Sequence, residues 1–282
     1  MARHKSENRP RHKAKLGQNF LTDANAAGRI VDALGDIAGC TVVEIGPGRG
    51  AITKTLATKA NKLVAIELDR ALAAQLRMDY TRRPNVEIIE ANVLHVDFDA
   101  LVRGRPRKPT TAPQDLPSKT ARVVGNLPYY ITSDILLRLF EFHTNFDKIV
   151  IMVQKEVADR ISAEPGSRDY GLLTATTQLF AEVENLFTLP PAAFSPPPKV
   201  HSSVLRLRIA PQANALGIDP RPFVDFLKLS FAQKRKTLYN NLRTKFSEEQ
   251  SRSAMRTAGL DASVRAEAVT LQGMAALFKA TQ

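Results

Sequence analysis

The chain has 282 residues, 44% of them hydrophobic, enough to bury a sizeable core in one large domain or two modest ones. Forty Lys and Arg against 28 Asp and Glu leave a net charge of +12, which favours polyanionic partners, and the single cysteine, Cys40, excludes an internal disulfide framework. No run reaches the ~18 apolar residues of a membrane helix, and the start, MARHKSENRPRHKAKLG, lacks the apolar centre of a signal peptide, so a reducing, cytoplasmic setting is expected.

Residues 1–15 read as a solvated basic arm carrying Arg3, Lys5, Arg9, Arg11, Lys13 and Lys15. From residue 41 strands and helices alternate. TVVEIG is a β-branched run ending in glycine, as a buried parallel strand should, and AITKTLATKA reads as the helix after it. KLVAIEL, NVEIIEA, ARVVGN and DKIVIMVQ read as further strands, with RALAAQLRMDY and SDILLRLFEF as helices between them. This alternation predicts an α/β, Rossmann-like fold: crossover units, hence a parallel sheet with helices on both faces. Residues 102–120, VRGRPRKPTTAPQDLPSKT, interrupt the pattern and read as a mobile, solvated loop, being proline-rich, basic and aperiodic. FTLPPAAFSPPPKVHSSVLRLRI combines proline turns with a strand of alternating character, SVLRLRI. APQANALGIDPRP reads as a linker, and the remainder as helical, with a second basic pole at Lys234, Arg235, Lys236, Arg243 and Lys245. The expected organisation is a catalytic domain over 16–210 and a small helical domain over 220–282.

VVEIGPGRGAIT sets Gly46, Gly48 and Gly50 at the turn between the first strand and its helix, where the backbone can approach a ligand closely. Gly46-x-Gly48-x-x-Ala51 formally satisfies a dinucleotide fingerprint, with Glu67 at the end of the second strand as the ribose acceptor. Methyltransferases that use S-adenosylmethionine place glycines and an acid in the same way, because they too hold an adenosine. Glu44, just before the glycines, favours the methyl donor: an acid there would repel a pyrophosphate but suits an ammonium group. The five histidines are scattered without ligand spacing, so no metal site is expected.

VVGNLPYY, residues 123–130, ends a strand on a polar amide, a rigid proline and two aromatic rings. Asn126-Leu127-Pro128-Tyr129 resembles the Asn/Asp-Pro-Pro-Tyr-type motif of amino-methyltransferases. With LGQNFL, VEIGPGRG, IELD, NLPYYIT and FSPPPKVHSSV, the chain is similar over about residues 15–260 to the ribosomal RNA adenine N6-dimethyltransferase family. FAQKRKTLYNNL resembles its small-subunit branch, which makes two adjacent dimethyladenosines near the end of 16S rRNA.

The resemblance implies that S-adenosylmethionine is bound by Asn19, Leu21, Gly46, Gly48, Glu67 and Asn126, with Glu44 as a second contact. It implies that the Asn126 side-chain oxygen and the Leu127 carbonyl accept from the target amino group, that Pro128 stiffens the turn and that Tyr129 stacks on the base. Phe194 is either a second wall around that base or a core residue. Lys199 and His201 either face RNA or are merely solvated, and the 102–120 loop either touches RNA or is inert. Lys234, Arg235 and Lys236, with the N-terminal arm, are the expected phosphate contacts to an immature small subunit, and a monomer is expected.

One position departs from the family pattern. Asn92 follows the third strand where an Asp is usual, and there it can accept from the cofactor's adenine only through its amide oxygen. The competing readings are a large-subunit rRNA methyltransferase, a DNA adenine methyltransferase, an assembly factor with dispensable catalysis and, if the Asn126–Tyr129 motif is coincidental, a hydride-transfer enzyme.

Overall fold

A seven-stranded sheet organises the chain in the computed structural model, which describes residues 19–103, 121–128 and 130–282. The basic arm, nearly all of the 102–120 loop and Tyr129 lie outside the described residues. In chain order the strands are β1 (Phe20–Leu21), β2 (Thr41–Ile45), β3 (Lys62–Glu67), β4 (Val86–Glu90), β5 (Ala121–Asn126), β6 (Phe146–Gln154), β7 (Ala181–Leu189), β8 (Phe194–Ser195) and β9 (Ser202–Ile209). The main sheet runs β4-β3-β2-β5-β6-β9-β7, and β1 pairs with β8 in a separate two-stranded ribbon.

The five strands from β4 to β6 are parallel. Their central members are apolar on both faces, as a sheet covered twice requires: Val42, Val43, Leu63, Val64, Val123 and Val124 are fully buried. From β2 the chain winds outward through β3 to β4, then returns to lay β5 on the other side of β2. Strand order therefore reverses between β2 and β5, and a crevice opens at the carboxyl ends there. Gly125 sits opposite Ile45 at that point, and a Cβ on it would meet the Ile45 carbonyl oxygen at 2.7 Å. A bare residue is what lets β5 lie against β2 immediately before Asn126.

The sheet is not wholly parallel. β9 is antiparallel to β6, and β7, absent from the sequence reading, forms the edge antiparallel to β9. Its alternation is broken by a register shift between Asn185 and Phe187, and outward Glu182 and Glu184 pair with Arg208 and Arg206. AEVENLFTL thus reads as polar and irregular, although it is nine residues of strand.

Beyond β9 the predicted linker contains a short helix, Ala213–Leu216, ended by Gly217 in the left-handed region at φ 61°. Helices Pro220–Ser230, Leu238–Leu242, Glu248–Thr257 and Leu271–Ala280 follow, with side-chain caps from Asp219, Thr237, Ser247 and Thr270. Phe223 and Phe226 pack on Phe278 with ring centroids 5.4 Å apart. The apolar faces of these helices join those of the sheet: Phe223, Leu227, Leu238 and Met274 belong to the same buried cluster as Leu173, Leu179 and Ile151.

Candidate active site

The crevice at the switch point is lined from four strand ends. β2 delivers Ile45, Gly46 and Gly48, β3 delivers Glu67 and Leu68, β4 leads to Ala91, Asn92 and Val93, and β5 delivers Asn126, Leu127 and Pro128. Asn19 and Phe20 close it from the N-terminal side, and Tyr130, Ile131 and Ile135 from the start of the helix after β5. An adjoining recess is bounded by Glu44, Leu21, Arg49, Ile52 and Asn126.

The glycine turn is shaped by two requirements. Gly46, Gly48 and Gly50 all have positive φ, at 66°, 57° and 81°. A Cβ on Gly48 would also lie 3.0 Å from the Phe20 ring, so the turn and the N-terminal segment can touch only through a bare backbone. The Arg49 guanidinium also lies over the Phe20 ring, 4.5 Å from its centroid.

Glu67 holds the turn in place. Its Oε2 accepts from the Gly48 N–H at 3.0 Å and its Oε1 from the Asp69 N–H at 2.9 Å. A carboxylate has about four acceptor positions, so each oxygen keeps capacity for a ligand hydroxyl. The residue is 4% exposed, and that remaining capacity faces the crevice it lines.

Glu44 is more deeply enclosed. It is 1% exposed, and among the described residues its Oε2 has no hydrogen-bond partner. Burial pushes its carboxyl up to about 8 and the Glu67 charge adds to this, while the nearby Thr53 hydroxyl and N–H oppose it without cancelling it. The Thr53 hydroxyl itself lacks hydrogen-bond geometry to any partner. Tyr80 is raised too, chiefly by burial and next by the Glu44 carboxyl. A buried acid with a raised pKa beside a crevice gains a cation's charge as partner once it gives up its proton.

Asn92 does two things at once. Its Oδ1 accepts from the Leu94 N–H at 3.0 Å, capping the turn Val93–His95, so the amide nitrogen is the side that remains uncommitted. Asn126 is oriented in the opposite sense. Its Nδ2 donates to the Asn19 carbonyl at 3.1 Å, and among the described residues its Oδ1 accepts no hydrogen bond at the crevice it lines. The turn after it is pinned as well: Leu127 N–H donates to Met152 O, and Pro128 O accepts from Ile131 N–H at 3.2 Å and from the Thr132 hydroxyl at 3.1 Å.

The ribbon of β1 and β8 fixes the Asn19 carbonyl. Leu21 lies opposite Phe194 and Phe20 opposite Ser195, and both the N–H and the hydroxyl of Thr22 donate to Ala193 O. Phe194 is 4% exposed and packs in the cluster of Leu21, Ile30 and Val204.

Of the residues singled out in the sequence, Asn19, Gly46, Gly48, Glu67, Asn92, Asn126, Leu127 and Pro128 thus meet in one crevice, with Leu21 and Glu44 in the recess beside it. Lys199 and His201 are exposed on the loop before β9. Lys234, Arg235 and Lys236 are exposed in a turn between two helices, rather than along a helix face, and Lys234 Nζ donates to Arg168 O at 2.8 Å. Phe20, Leu68, Tyr130 and Ile131 line the crevice without having been assigned there. All four stand inside the motifs LGQNFL, IELD and NLPYYIT, although Leu68 and Ile131 carry no chemical signal of their own. Among the described residues, no group of three His, Cys, Asp or Glu is placed to hold a metal ion.

A model of the ribosomal RNA adenine dimethylase family matches residues 9–282. The chain belongs to that family. Ribosomal RNA small subunit methyltransferase A of Koribacter versatilis is 58% identical to this dimethylase family member over 270 residues, covering 96% of this chain and 94% of the relative. Among solved structures, the 23S rRNA methyltransferase ErmE is 26% identical, with a TM-score of 0.63 over 93% of this chain and 99% of that one. A dimethyladenosine transferase from Plasmodium falciparum shares the fold at 22% identity, with a TM-score of 0.71 over 92% of this chain and 95% of that one.

Proposed function

We propose that the protein transfers methyl groups from S-adenosyl-L-methionine to N6 of two adjacent adenosines near the 3′ end of 16S rRNA, giving N6,N6-dimethyladenosine in the immature small ribosomal subunit. The observation that carries the reading is the orientation of Asn126: with Nδ2 tied to the Asn19 carbonyl, Oδ1 is left as an acceptor in the crevice that Glu67 and the glycine turn also line. The small-subunit assignment is supported by 58% identity to a relative named for that subunit, against 26% to one named for 23S rRNA.

The residues fit the methyl donor. Glu67 offers acceptors for the ribose hydroxyls, Gly46 and Gly48 leave room for close approach, and the unpartnered oxygen of Glu44 suits the donor's ammonium group. Asn92 lies where the adenine would sit, with Asn19 and Leu21 beside the donor. When bound, S-adenosylmethionine supplies a methyl group made electrophilic by its sulfonium.

The chain's own residues prepare the nucleophile. An adenine amino nitrogen attacks poorly because its lone pair is delocalised into the ring. Asn126 Oδ1 and the Leu127 carbonyl accept its hydrogens, which draws the nitrogen toward a tetrahedral shape and frees the lone pair. The pinning of Pro128 O by Ile131 and Thr132 keeps both acceptors fixed, so rate comes mainly from positioning. Tyr129 stacks on the target base. The proton leaves for water once N6 carries the new bond, so no general base is assigned. After the first methylation one acceptor is enough to hold the remaining N–H, and the second methylation proceeds in the same site.

RNA beyond the target base is held by phosphate contacts from Lys199, from Lys234, Arg235 and Lys236, and from the N-terminal arm. Adenines in a loop are splayed into the site at less cost than paired ones. The test is methylation of small and large subunits that lack these modifications, run in parallel with methyl-labelled donor. Label in small-subunit RNA alone is expected. Label only in large subunits would keep the chemistry and reject the substrate, and binding to small subunits without label would make the protein an assembly factor.

A further inference from the structure

Four large apolar side chains are strongly exposed among the described residues, namely Leu68 at 49%, Met78 at 73%, Tyr130 at 65% and Val200 at 43%. Two of the four, Leu68 and Tyr130, border the same crevice. Leu68 directly follows Glu67 on the side assigned to the cofactor. Tyr130 stands four residues past Asn126, the residue assigned to the target base. Nothing in the fold requires a ring there: among the described residues Tyr130 makes no ring contact, and the adjacent Ile131 and Thr132 already anchor the turn through Pro128 O. The backbone under the ring is thus held on both sides, while the ring itself is left in water.

A rigid backbone presenting an unburied aromatic ring at the mouth of a base-binding crevice is a stacking platform. Every base has a π-face, and a tyrosine has only two χ angles to fix when one settles on it. The target adenine is committed to Asn126 Oδ1 and the cofactor to the glycine turn, Glu67 and Asn92, whereas a ring that is 65% exposed keeps most of its surface open to a further base. The nucleotide next to the target is the one that reaches the rim. From these placements we infer that Tyr130 stacks on the base adjacent to the adenosine being methylated, and that it contributes to recognition of the paired adenosines. This inference rests on the RNA substrate proposed above.

The test compares wild type, Tyr130→Ala and Tyr130→Phe on small subunits lacking the modification, with separate measurement of KM for subunits, kcat and the Kd for S-adenosylmethionine by calorimetry. Loss of one base–aromatic stack is expected to raise the KM of Tyr130→Ala for subunits by about 5- to 150-fold. Its Kd for the methyl donor stays within about twofold, and Tyr130→Phe stays close to wild type because the ring alone is needed. Unchanged KM in Tyr130→Ala overturns the proposal. So does a parallel loss of donor affinity, which would move Tyr130 to the cofactor side, and so does a Phe variant as impaired as the Ala variant, which would make the hydroxyl the active group. If wild type itself leaves the subunits unlabelled, the proposed function falls first, and the role of Tyr130 with it.

Discussion

Replacing Glu44 with Gln should make the protein more stable and a poorer binder of its cofactor. The carboxyl is 1% exposed and its pKa is raised from 4.5 to about 8, mainly by burial. Between those two values the folded chain holds a proton on Glu44 that the unfolded chain has released. Stability from this group is therefore fully present below pH 4.5 and is lost as pH rises towards about 8. At ~1.4 kcal/mol per pH unit, the cost at pH 7 is about 3 kcal/mol, and above pH 8 about 5 kcal/mol. Gln carries no such cost, so the stability difference between variant and wild type should grow from near zero at pH 4.5 to these values. At pH 7 the variant should melt higher by roughly 6–10 °C. Thermal melts of both proteins from pH 4.5 to 8.5, without ligand, provide the measurement. A difference that does not change with pH, or a variant less stable at pH 7, would refute the reasoning. Cofactor titrations complete it: between pH 6 and 7 wild-type affinity should rise up to about tenfold, as Glu44 gives up its proton to pair with the ammonium group, while the variant stays flat.

Two further expectations concern the same ligands. Asn92→Asp keeps an oxygen to cap Leu94 and offers a second oxygen as an acceptor, where Asn offers a donor. Calorimetry should show the variant binding S-adenosylmethionine about 2- to 10-fold more tightly, and unchanged or weaker binding would remove Asn92 from the adenine side of the site. Replacing Lys234, Arg235 and Lys236 together with Ala should weaken subunit binding and lower the slope of log affinity against log salt by ~2–3, one increment per lost phosphate contact. An unchanged slope would mean that the turn is only solvated.

The parallel half of the fold was legible because its strands are buried on both faces: TVVEIG, KLVAIEL and ARVVGN leave little other choice. The antiparallel edge was not, because β7 is half solvated and its alternation slips at Asn185–Phe187. The crevice residues were legible where chemistry restricts residue type, as with glycines at positive φ, an acid at the end of β3 and an amide before proline. Orientation was not. That Asn126 offers its oxygen and Asn92 its nitrogen depends on the Asn19 carbonyl and the Leu94 N–H, which only the folded backbone brings into place. Phe194 could be read either as a wall of the base pocket or as core, and it is buried through the β1–β8 pairing. Nothing in FSPPPKV announces that Phe20 and Leu21 will lie beside it. The basic residues after helix Pro220–Ser230 read as helical, yet they occupy a turn held by Asn241, whose side chain donates to Ser230 O at 2.7 Å.

The central claim is that Asn126 Oδ1 activates an adenine amino group of small-subunit RNA. Nucleoside mass spectrometry on unmodified small subunits, incubated with S-adenosylmethionine and either wild type or Asn126→Ala, tests it most directly. Wild type should give N6,N6-dimethyladenosine, and Asn126→Ala should lose at least about a hundredfold in rate, since one charge-stabilising contact made in the transition state is worth that much. Dimethyladenosine formed at an undiminished rate by Asn126→Ala would contradict it.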